Sequence, residues 1–487
     1  MTSPLHYRVA IVGSGFAGVL MAIRLRQIGV TDFVIFEKAA DLGGVWRENR
    51  YPGCACDVES HLYELTLAPN PDWSHRYSPQ AEIWDYLRKT AERFGVTPHI
   101  RYAEPVEHAR WDEPTSRWQL TTPKGTCTAS HLVAATGALS DPRMPDVPGL
   151  DSFGGPVFHS ARWDHSVDLA GKRVAVLGTG ASAVQFVPAI QPRVSHLTIF
   201  QRTPGWVVPR EDHPWSPRAR AMFRRVPVLH RAYREFLRLK REAMGISFWY
   251  PRVGRVVGLL ASQHLRRQVH DPALRKRLTP DFAVGCKRIL VSDDWYPALT
   301  RPNVELVASA AARVTPTGVM GADGIERPAD VLICGTGFRV TDFPFAPHVR
   351  GRDGRLLSDT WVETATAHAG TTVAGFPNFF VIPGPNTGLG HSSVLMMMEA
   401  QVEHAIGAIQ HLERAGGGAL EPRPEAQAAF VADVDRRMAK TVWVTGGCKS
   451  WYLDRTGRNS TLWPGTIPQF ERRVARFRPE EYRVAHA

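Results

Sequence analysis

The chain has few cysteines and no long apolar segment, and both absences narrow the class of protein. Six cysteines occur among 487 residues, with no Cys-x-x-Cys pair, so we predict no zinc ribbon, no thioredoxin-type motif and no metal site. No apolar run approaches the ~20 residues that span a bilayer. A strand pattern begins almost at the N-terminus, so we expect no signal peptide. We therefore expect a cytoplasmic protein whose thiols are reduced.

Acidic residues are also in deficit, and the deficit is local. The chain has 59 Lys and Arg against 47 Asp and Glu, a net charge of +12. Residues 210–290 hold 19 of the basic and 6 of the acidic residues, so the rest of the chain is nearly neutral. A basic block suits nucleic acid, an anionic membrane surface or an anionic cofactor. No nucleic-acid motif accompanies it, so we expect no nucleic-acid partner.

A glycine-rich turn near the N-terminus follows a predicted strand, residues 8–12, and opens a predicted helix, residues 19–27. In such a turn Gly13 makes the bend, Gly15 lets backbone approach a pyrophosphate, and Gly18 lets the helix pack on the strand. Glu37 follows the next predicted strand, where a carboxylate accepts hydrogen bonds from ribose hydroxyls. The pattern predicts a nucleotide without a 2′-phosphate, and FAD fits.

A second unit of the same kind differs at its charged position. The predicted strand Arg173–Leu177 leads through Gly178 and Gly180 into the predicted helix Ala183–Ile190. After the following strand, His196–Phe200, no acid occurs, and Arg202-Thr203 stands there instead. A guanidinium pairs with phosphate through two charge-assisted hydrogen bonds. The second unit therefore predicts a 2′-phosphate, hence NADPH.

Two strand–turn–helix–strand units predict an α/β fold with two Rossmann-like dinucleotide-binding domains, for FAD and NADP, and a helical insertion. The insertion is predicted from arginine, leucine and aromatic residues at helical spacing. The predicted divisions are an N-terminal FAD part (1–145), a first NADP part with linker (146–208), the insertion (209–283), a second NADP part with linker (284–365), and a C-terminal FAD part with a mobile loop (366–487).

Between the two glycine turns lies the pattern FxGxxxHxxxWD, formed by Phe153, Gly155, His159, Trp163 and Asp164. It resembles the fingerprint of the flavin-dependent Baeyer–Villiger monooxygenases. Further segments resemble the same family: residues 43–46, 50–57, 201–204, 285–288, 375–378 and 384–387. The resemblance runs from about residue 8 to 465. The five fingerprint residues are expected at the hinge between the two domains, with His159 in a conformational role.

The resemblance implies a reaction and its catalytic residues. In the family, NADPH reduces FAD, reduced flavin adds O₂ as a C4a-peroxide, and the peroxide converts a ketone to an ester or lactone. Arg288, by its match to the family's GxKR segment, would keep the peroxide deprotonated and stabilise the adduct. Asp57 would orient Arg288. Lys287 would contact the 2′-phosphate together with Arg202.

The same resemblance, with the glycine turns, implies a wider set of cofactor contacts, and Trp443 is expected to cover the nicotinamide or substrate when a loop closes. For FAD the set is Gly13, Gly15, Phe16, Ala17, Gly18, Glu37, Lys38, Gly44, Val45, Trp46, Asp57, Val58, Tyr63, Val106, Thr136, Gly137 and Asn386. For NADPH and the covering loop it is Gly178, Thr179, Gly180, Ala181, Ser182, Arg202, Thr203, Lys287 and Trp443.

Three alternatives stay open at this stage. An N- or S-oxygenating flavin monooxygenase would share both cofactors, although the Trp163-Asp164 ending argues against it. A flavin disulfide reductase needs a redox cysteine pair, and Cys54 and Cys56 are too close in sequence for good disulfide geometry. A non-catalytic nucleotide-binding protein would be colourless. The expected substrate is a lipophilic ketone, and residues 246–260 are a candidate interfacial helix for peripheral membrane contact.

Overall fold

The computed structural model describes residues 5–486, with side chains for all of these except residues 251 and 252. Its N-terminal part alternates strands and helices and then forms a run of strands. The elements are β1 (Leu5–Val12), α1 (Phe16–Gln27), β2 (Phe33–Phe36), α2 (Val45–Glu48), α3 (Gln80–Arg93), β3 (Ile100–Arg101), β4 (His108–Asp112), β5 (Arg117–Thr122) and β6 (Gly125–Ala134).

The middle part is a second α/β unit that four helices interrupt. Its elements are β7 (Val157–His159), β8 (Arg173–Leu177), α4 (Ala183–Ile190), β9 (His196–Phe200), β10 (Val207–Val208), α5 (Pro217–Arg225), α6 (Pro227–Trp249), α7 (Pro251–Gln268), α8 (Pro272–Arg277), β11 (Leu290–Val291), α9 (Trp295–Leu299), β12 (Val304–Val307), β13 (Ala311–Thr315), β14 (Gly318–Gly321), β15 (Glu326–Pro328) and β16 (Val331–Cys334). The interrupting helices α5–α8 lie inside the predicted insertion.

The C-terminal part returns to the first unit. Its elements are β17 (Val349–Arg350), α10 (Leu357–Thr360), β18 (Phe379–Val381), α11 (Val394–Arg414), β19 (Ala419–Pro422), α12 (Pro424–Met438), α13 (Val442–Thr445), α14 (Ile467–Val474) and β20 (Tyr482–Ala485). Across residues 5–486, no helix combines the length and apolar character that crossing a membrane requires.

Two sheets organise these elements. The first has the order β17-β4-β5-β6-β1-β2-β3, with β18 pairing in parallel beside the end of β6. The second is wholly parallel, in the order β12-β9-β8-β16-β7. Every residue of β2 is buried, as in a parallel strand covered on both faces. Ligands of such sheets bind beyond the carboxyl ends of the strands, which are the ends of β1 and β8 here.

The predicted elements of the second unit agree with the structure at both ends of β8, α4 and β9. In the first unit the prediction is three residues short at the start of α1, which begins at Phe16 rather than at residue 19. The reason is that α1 starts inside the glycine turn itself, with Gly15 as its N-cap. Periodicity finds the apolar face of a helix but does not show where within a turn the helix begins.

Candidate active site

The first glycine turn forms a cradle of backbone at the end of β1. Gly13 has φ +103°, and a Cβ there would lie 2.6 Å from the carbonyl oxygen of Ala135. A Cβ on Gly18 would lie 2.0 Å from the carbonyl oxygen of Gly13. Across the cradle, a Cβ on Gly15 would face the Cα of Gly44 at 3.6 Å. Packing therefore requires glycine at positions 13 and 18, and the missing side chain at Gly15 leaves amide groups at the start of α1 uncovered, which suits a pyrophosphate.

Glu37 lies at the end of β2 and is 3 % exposed. One of its carboxylate oxygens accepts from the amide and hydroxyl of Ser14, at 3.0 and 2.6 Å. The other accepts from the amide of Ala39 at 3.0 Å and from Arg47 at 3.1 Å. Burial alone would raise the pKa of Glu37, but these donors hold it below its usual value. The sequence predicted only a ribose acceptor; the structure gives Glu37 the further task of joining the glycine turn to residues 39–47.

The second cradle is built in the same way, with one difference in packing. Gly178 has φ +105°, and a Cβ there would lie 2.4 Å from the carbonyl oxygen of Gly335. Ala183 occupies the place that Gly18 has in the first unit and is fully buried. Its Cβ would lie 3.7 Å from a Cβ built on Gly335, an ordinary contact. The second turn is therefore wide enough for the methyl group that the first turn excludes.

Two cations follow from the end of β9, where Phe200 accepts from the amide of Gly178: Arg202 and its neighbour Lys287. Arg202 is exposed and Lys287 is half-buried. Burial lowers the pKa of Lys287, and the positive charge of Arg202 lowers it further, so the two groups are close enough to repel one another. The Lys287 Nζ also lies 4.9 Å from the centre of the Phe282 ring. Two neighbouring cations with no carboxylate after β9 suit a phosphate dianion.

Asp57 and Arg288 form an ion pair although 231 residues separate them. The Nε and Nη2 atoms of Arg288 donate to one carboxylate oxygen of Asp57, at 2.8 and 2.6 Å. The attraction of Asp57 raises the pKa of Arg288. Burial would raise the pKa of Asp57, but Arg288 lowers it overall. Both groups therefore carry their charges throughout the neutral pH range.

Other segments close around this pair. The Nη1 atom of Arg288 lies 3.5 Å from the carbonyl oxygen of Leu389. Tyr452 lies beside the guanidinium, and burial raises the pKa of its phenol to about 12. The side chains of Arg288 and Asp57 nevertheless keep 27 % and 30 % of their surface exposed. A fixed positive charge with an open side is an arrangement that stabilises negative charge on a bound molecule.

The loop that carries Asp57 is held from two sides by residues that sequence reasoning missed. From α6, Arg241 donates to buried Glu59 at 2.6 Å and to the carbonyl oxygen of Asp57 at 3.4 Å. From α4, Gln185 accepts from the Tyr51 hydroxyl at 3.0 Å and donates to a loop carbonyl oxygen at 3.0 Å. Arg241 is one of 19 cations in the basic block, and nothing in its local sequence marks it as buried.

The fingerprint residues lie along β7 and the segments that flank it, in the second unit, rather than at the ion pair. The backbone of His159 in β7 pairs with Cys334 of β16, and its ring accepts from the amide of Ala161 at 3.0 Å. Burial lowers the pKa of His159 to about 4, so the ring is neutral. A Cβ on Gly155 would lie 2.2 Å from the carbonyl oxygen of Asp330. Among the described hydrogen bonds, no fingerprint side chain reaches Asp57 or Arg288.

The other fingerprint side chains also have packing partners. Phe153 packs against the core of the second sheet. Trp163 lies between Phe158 and Phe186, with ring centres 5.2 and 5.3 Å away. Asp164 is exposed and accepts from the amide of Ser166. Arg162, between β7 and Trp163 in the chain, pairs with Glu48 of the first unit at 2.8 Å.

The remaining residues predicted to contact a cofactor lie at the two glycine turns, at α2, after β6 and in loops. Phe16 and Ala17 begin α1, Gly44, Val45 and Trp46 lie at α2, Thr136 and Gly137 follow β6, and Thr179, Ala181 and Ser182 lie between β8 and α4. Val58 and Val106 are buried, Thr203 is half-buried and Lys38 is exposed. Trp46 donates to the hydroxyl of Tyr63 at 3.1 Å.

The side chains of Asn386 and Trp443 both contact other parts of the protein. Asn386 donates to the carbonyl oxygens of Asn459 and Leu462, at 2.8 and 3.0 Å, and so braces the C-terminal segment. Trp443 is 1 % exposed and packs on Phe248, with ring centres 5.2 Å apart. Trp443 therefore lies within a packed apolar cluster.

The cysteines do not all remain thiols. Cys286 and Cys448 form a disulfide, which corrects the expectation that every cysteine is reduced. The bond attaches the segment after α13 to the residue that precedes Lys287 and Arg288. A separation of 162 residues gave no sequence signal for this pairing. Cys54, Cys56, Cys127 and Cys334 are free and buried, as expected for packing residues.

Comparisons with known proteins first define the class. Residues 10–226 match the family described as pyridine nucleotide-disulphide oxidoreductase. The structure also superposes on cyclohexanone monooxygenase from Rhodococcus sp. Phi1 bound to NADP⁺, with a TM-score of 0.88 and 28 % identity over all of both chains. It superposes on OTEMO in complex with FAD and NADP with a TM-score of 0.89 and 27 % identity, covering 99 % of this chain and 100 % of the other. These matches confirm the predicted α/β fold with two dinucleotide-binding domains.

A relative in sequence then gives the family. A Baeyer–Villiger monooxygenase of Streptomyces coelicolor is 50 % identical over 481 residues, which cover 98 % of this chain and 93 % of the relative. The chain belongs to the Baeyer–Villiger monooxygenases. Membership decides against the disulfide reductase and the non-catalytic alternative.

Proposed function

We propose that the protein oxidises lipophilic ketones to esters or lactones, using NADPH, O₂ and bound FAD. The observation that carries the proposal is the Asp57–Arg288 pair, which lies where the first nucleotide unit, the second unit and the C-terminal return segment meet. A permanent positive charge at that junction suits an oxygenation in which negative charge builds up on oxygen.

The residues present fit both cofactors. In the first cradle a Cβ on Gly13 or Gly18 would meet backbone, and the close packing without side chains leaves amide groups at the start of α1 available to a pyrophosphate. The second cradle repeats this arrangement and adds Arg202 and Lys287 for a 2′-phosphate. When bound, FAD accepts hydride from NADPH and supplies the oxygenation chemistry.

Arg288 has the electrostatic role in this proposal. Since Asp57 raises its pKa, its charge does not change at any working pH, unlike that of a histidine or lysine. Its free guanidinium edge would stabilise the oxyanion that forms when the ketone carbonyl is attacked. Removing one donor of this kind costs about 3–4 kcal/mol in comparable sites. Asp57 orients Arg288 through two hydrogen bonds to one oxygen.

The test separates flavin reduction from oxygen transfer. Arg288→Ala should still let NADPH bleach the flavin, but the product should be hydrogen peroxide, with ester formation lowered at least a hundredfold. Arg266→Ala, which removes an exposed arginine of α7, is the matched control and should behave as the parent protein. Lactone formation by Arg288→Ala at the parental rate would contradict the role.

Substrate class needs a separate measurement. A panel of ketones and thioethers, with ¹⁸O₂ and mass spectrometry, should show one labelled oxygen inserted next to a ketone carbonyl. Sulfoxide alone, without ester from any ketone, would favour the N- or S-oxygenating alternative.

A further inference from the structure

Exposed apolar side chains are concentrated in one part of the described chain. Of the twenty large apolar residues that are exposed, thirteen lie between Met222 and Leu260. That segment comprises the end of α5, all of α6 and the first half of α7. Large exposed apolar patches on a folded protein mark sites of contact with proteins or membranes.

Seven exposed apolar residues, six on α6 and Tyr250 directly after it, form a continuous stripe. They follow one another at intervals of three and four residues, which places them on one face of the helix: Leu229, Ala232, Phe236, Leu239, Ala243, Ile246 and Tyr250. Phe236, Leu239 and Tyr250 are 58, 55 and 62 % exposed. The opposite face is buried; its Arg241 contacts the Asp57 loop and its Phe248 packs on Trp443.

The adjoining helix extends the stripe. α7 packs beside α6, and its exposed residues include Val256, Leu259 and Leu260, at 57, 70 and 56 %. We call the exposed apolar residues of α6 and α7 the insertion face.

Positive charge surrounds the insertion face. Residues 217–268 contain thirteen Lys and Arg but only two Asp and Glu, a net charge of +11 out of +12 for the whole chain. Exposed arginines occur on all three helices, among them Arg225 on α5, Arg231 on α6 and Arg255 on α7. A second copy would bring an equally positive surface against this one, and like charges disfavour that pairing.

We propose that the insertion face docks on an anionic lipid surface. Apolar side chains of a helix enter the boundary between headgroups and acyl chains, while arginines at the rim pair with lipid phosphates. The proposal goes beyond the proposed function and does not depend on it. It would place α6, whose Arg241 contacts the Asp57 loop, next to the phase in which lipophilic ketones concentrate.

Vesicle sedimentation of the flavin-loaded protein tests the proposal. The protein should pellet with vesicles that contain phosphatidylglycerol, pellet little with phosphatidylcholine alone, and be released by high salt. Leu259→Ser with Leu260→Ser should lower the partition coefficient at least tenfold. Ile325→Ser with Val362→Ser removes apolar side chains of similar exposure, 57 and 54 %, outside the face and should change nothing.

A second variant pair tests the charges. Arg231→Glu with Arg255→Glu should abolish the preference for phosphatidylglycerol. This double variant and Leu259→Ser with Leu260→Ser should both keep parental activity on a water-soluble ketone. Equal binding to neutral and anionic vesicles, or none to either, would overturn the proposal. So would a dimer in lipid-free solution that Leu259→Ser with Leu260→Ser dissociates, since the face would then bind a second copy.

Discussion

Each of the two nucleotide-binding units has a glycine turn of the same kind, but the units differ in how their charged residue is held. In the first unit, Glu37 is buried and its carboxylate accepts from four donors that hold it in place. In the second, Arg202 is exposed, and its charged neighbour Lys287 comes from a segment far along the chain. A buried carboxylate held in one position suits a cofactor that stays bound. A pair of accessible cations suits a cofactor that enters and leaves in each turnover.

The largest effect is expected when the residues that end the two glycine turns, Gly18 and Ala183, are exchanged. Gly18→Ala would drive a methyl group against the carbonyl oxygen of Gly13, 2.0 Å away, and should cost more than about 3 kcal/mol, with loss of bound flavin. Ala183→Gly, the reciprocal change, should cost only about 1 kcal/mol. Flavin absorbance and thermal unfolding measure both. Equal effects of the two variants would mean that the turns are alike.

The disulfide offers a second test, because it anchors the segment that carries Lys287 and Arg288. Cys448→Ser should destabilise the protein by about 2–4 kcal/mol and weaken NADPH binding, while flavin content stays unchanged. Cys127→Ser, at a free cysteine in β6, is the control for loss of a thiol. Calorimetry and NADPH titration report the result; loss of flavin from Cys448→Ser would show that the bond supports the first unit as well.

Arg202→Ala should change cofactor choice more than catalysis. Loss of a charge-assisted hydrogen bond costs about 1.5–3 kcal/mol, so KM for NADPH should rise roughly tenfold to a hundredfold. KM for NADH should change little, because NADH has no 2′-phosphate. Steady-state kinetics with both nucleotides decide the point, and unchanged selectivity would remove Arg202 from the site.

The smallest expected effect is that of protonating the Glu37 carboxylate at low pH on flavin binding and stability. The pKa of Glu37 in the folded protein lies below its usual 4.5, so its stabilisation is complete above that pH and is lost as the pH falls through the folded value. Flavin release on acidification should therefore include a step below about pH 4.5. Glu37→Gln should lack that step and be about 1 kcal/mol less stable at pH 7. An identical acid profile for both proteins would separate Glu37 from flavin retention.

Sequence reasoning reached the parts of the site that depend on local pattern. Glycines at fixed intervals after a strand specify a turn, and the charge after the next strand distinguishes two nucleotides; both patterns lie within about 30 residues. It did not reach Arg241, Glu59 or Gln185, which hold the Asp57 loop, because each acquires its partner only when distant segments meet. The disulfide between Cys286 and Cys448 was not predicted for the same reason.

By itself, the sequence determined two nucleotide-binding units of opposite charge preference, a basic helical insertion and the family to which the chain belongs, because each is written in adjacent residues. The tertiary structure alone decided that Arg241 of α6 is buried against Glu59, that Cys286 meets Cys448, and which face of the insertion stays exposed. Those outcomes depend on burial and distance, and chain folding sets both through contacts that no local spacing encodes.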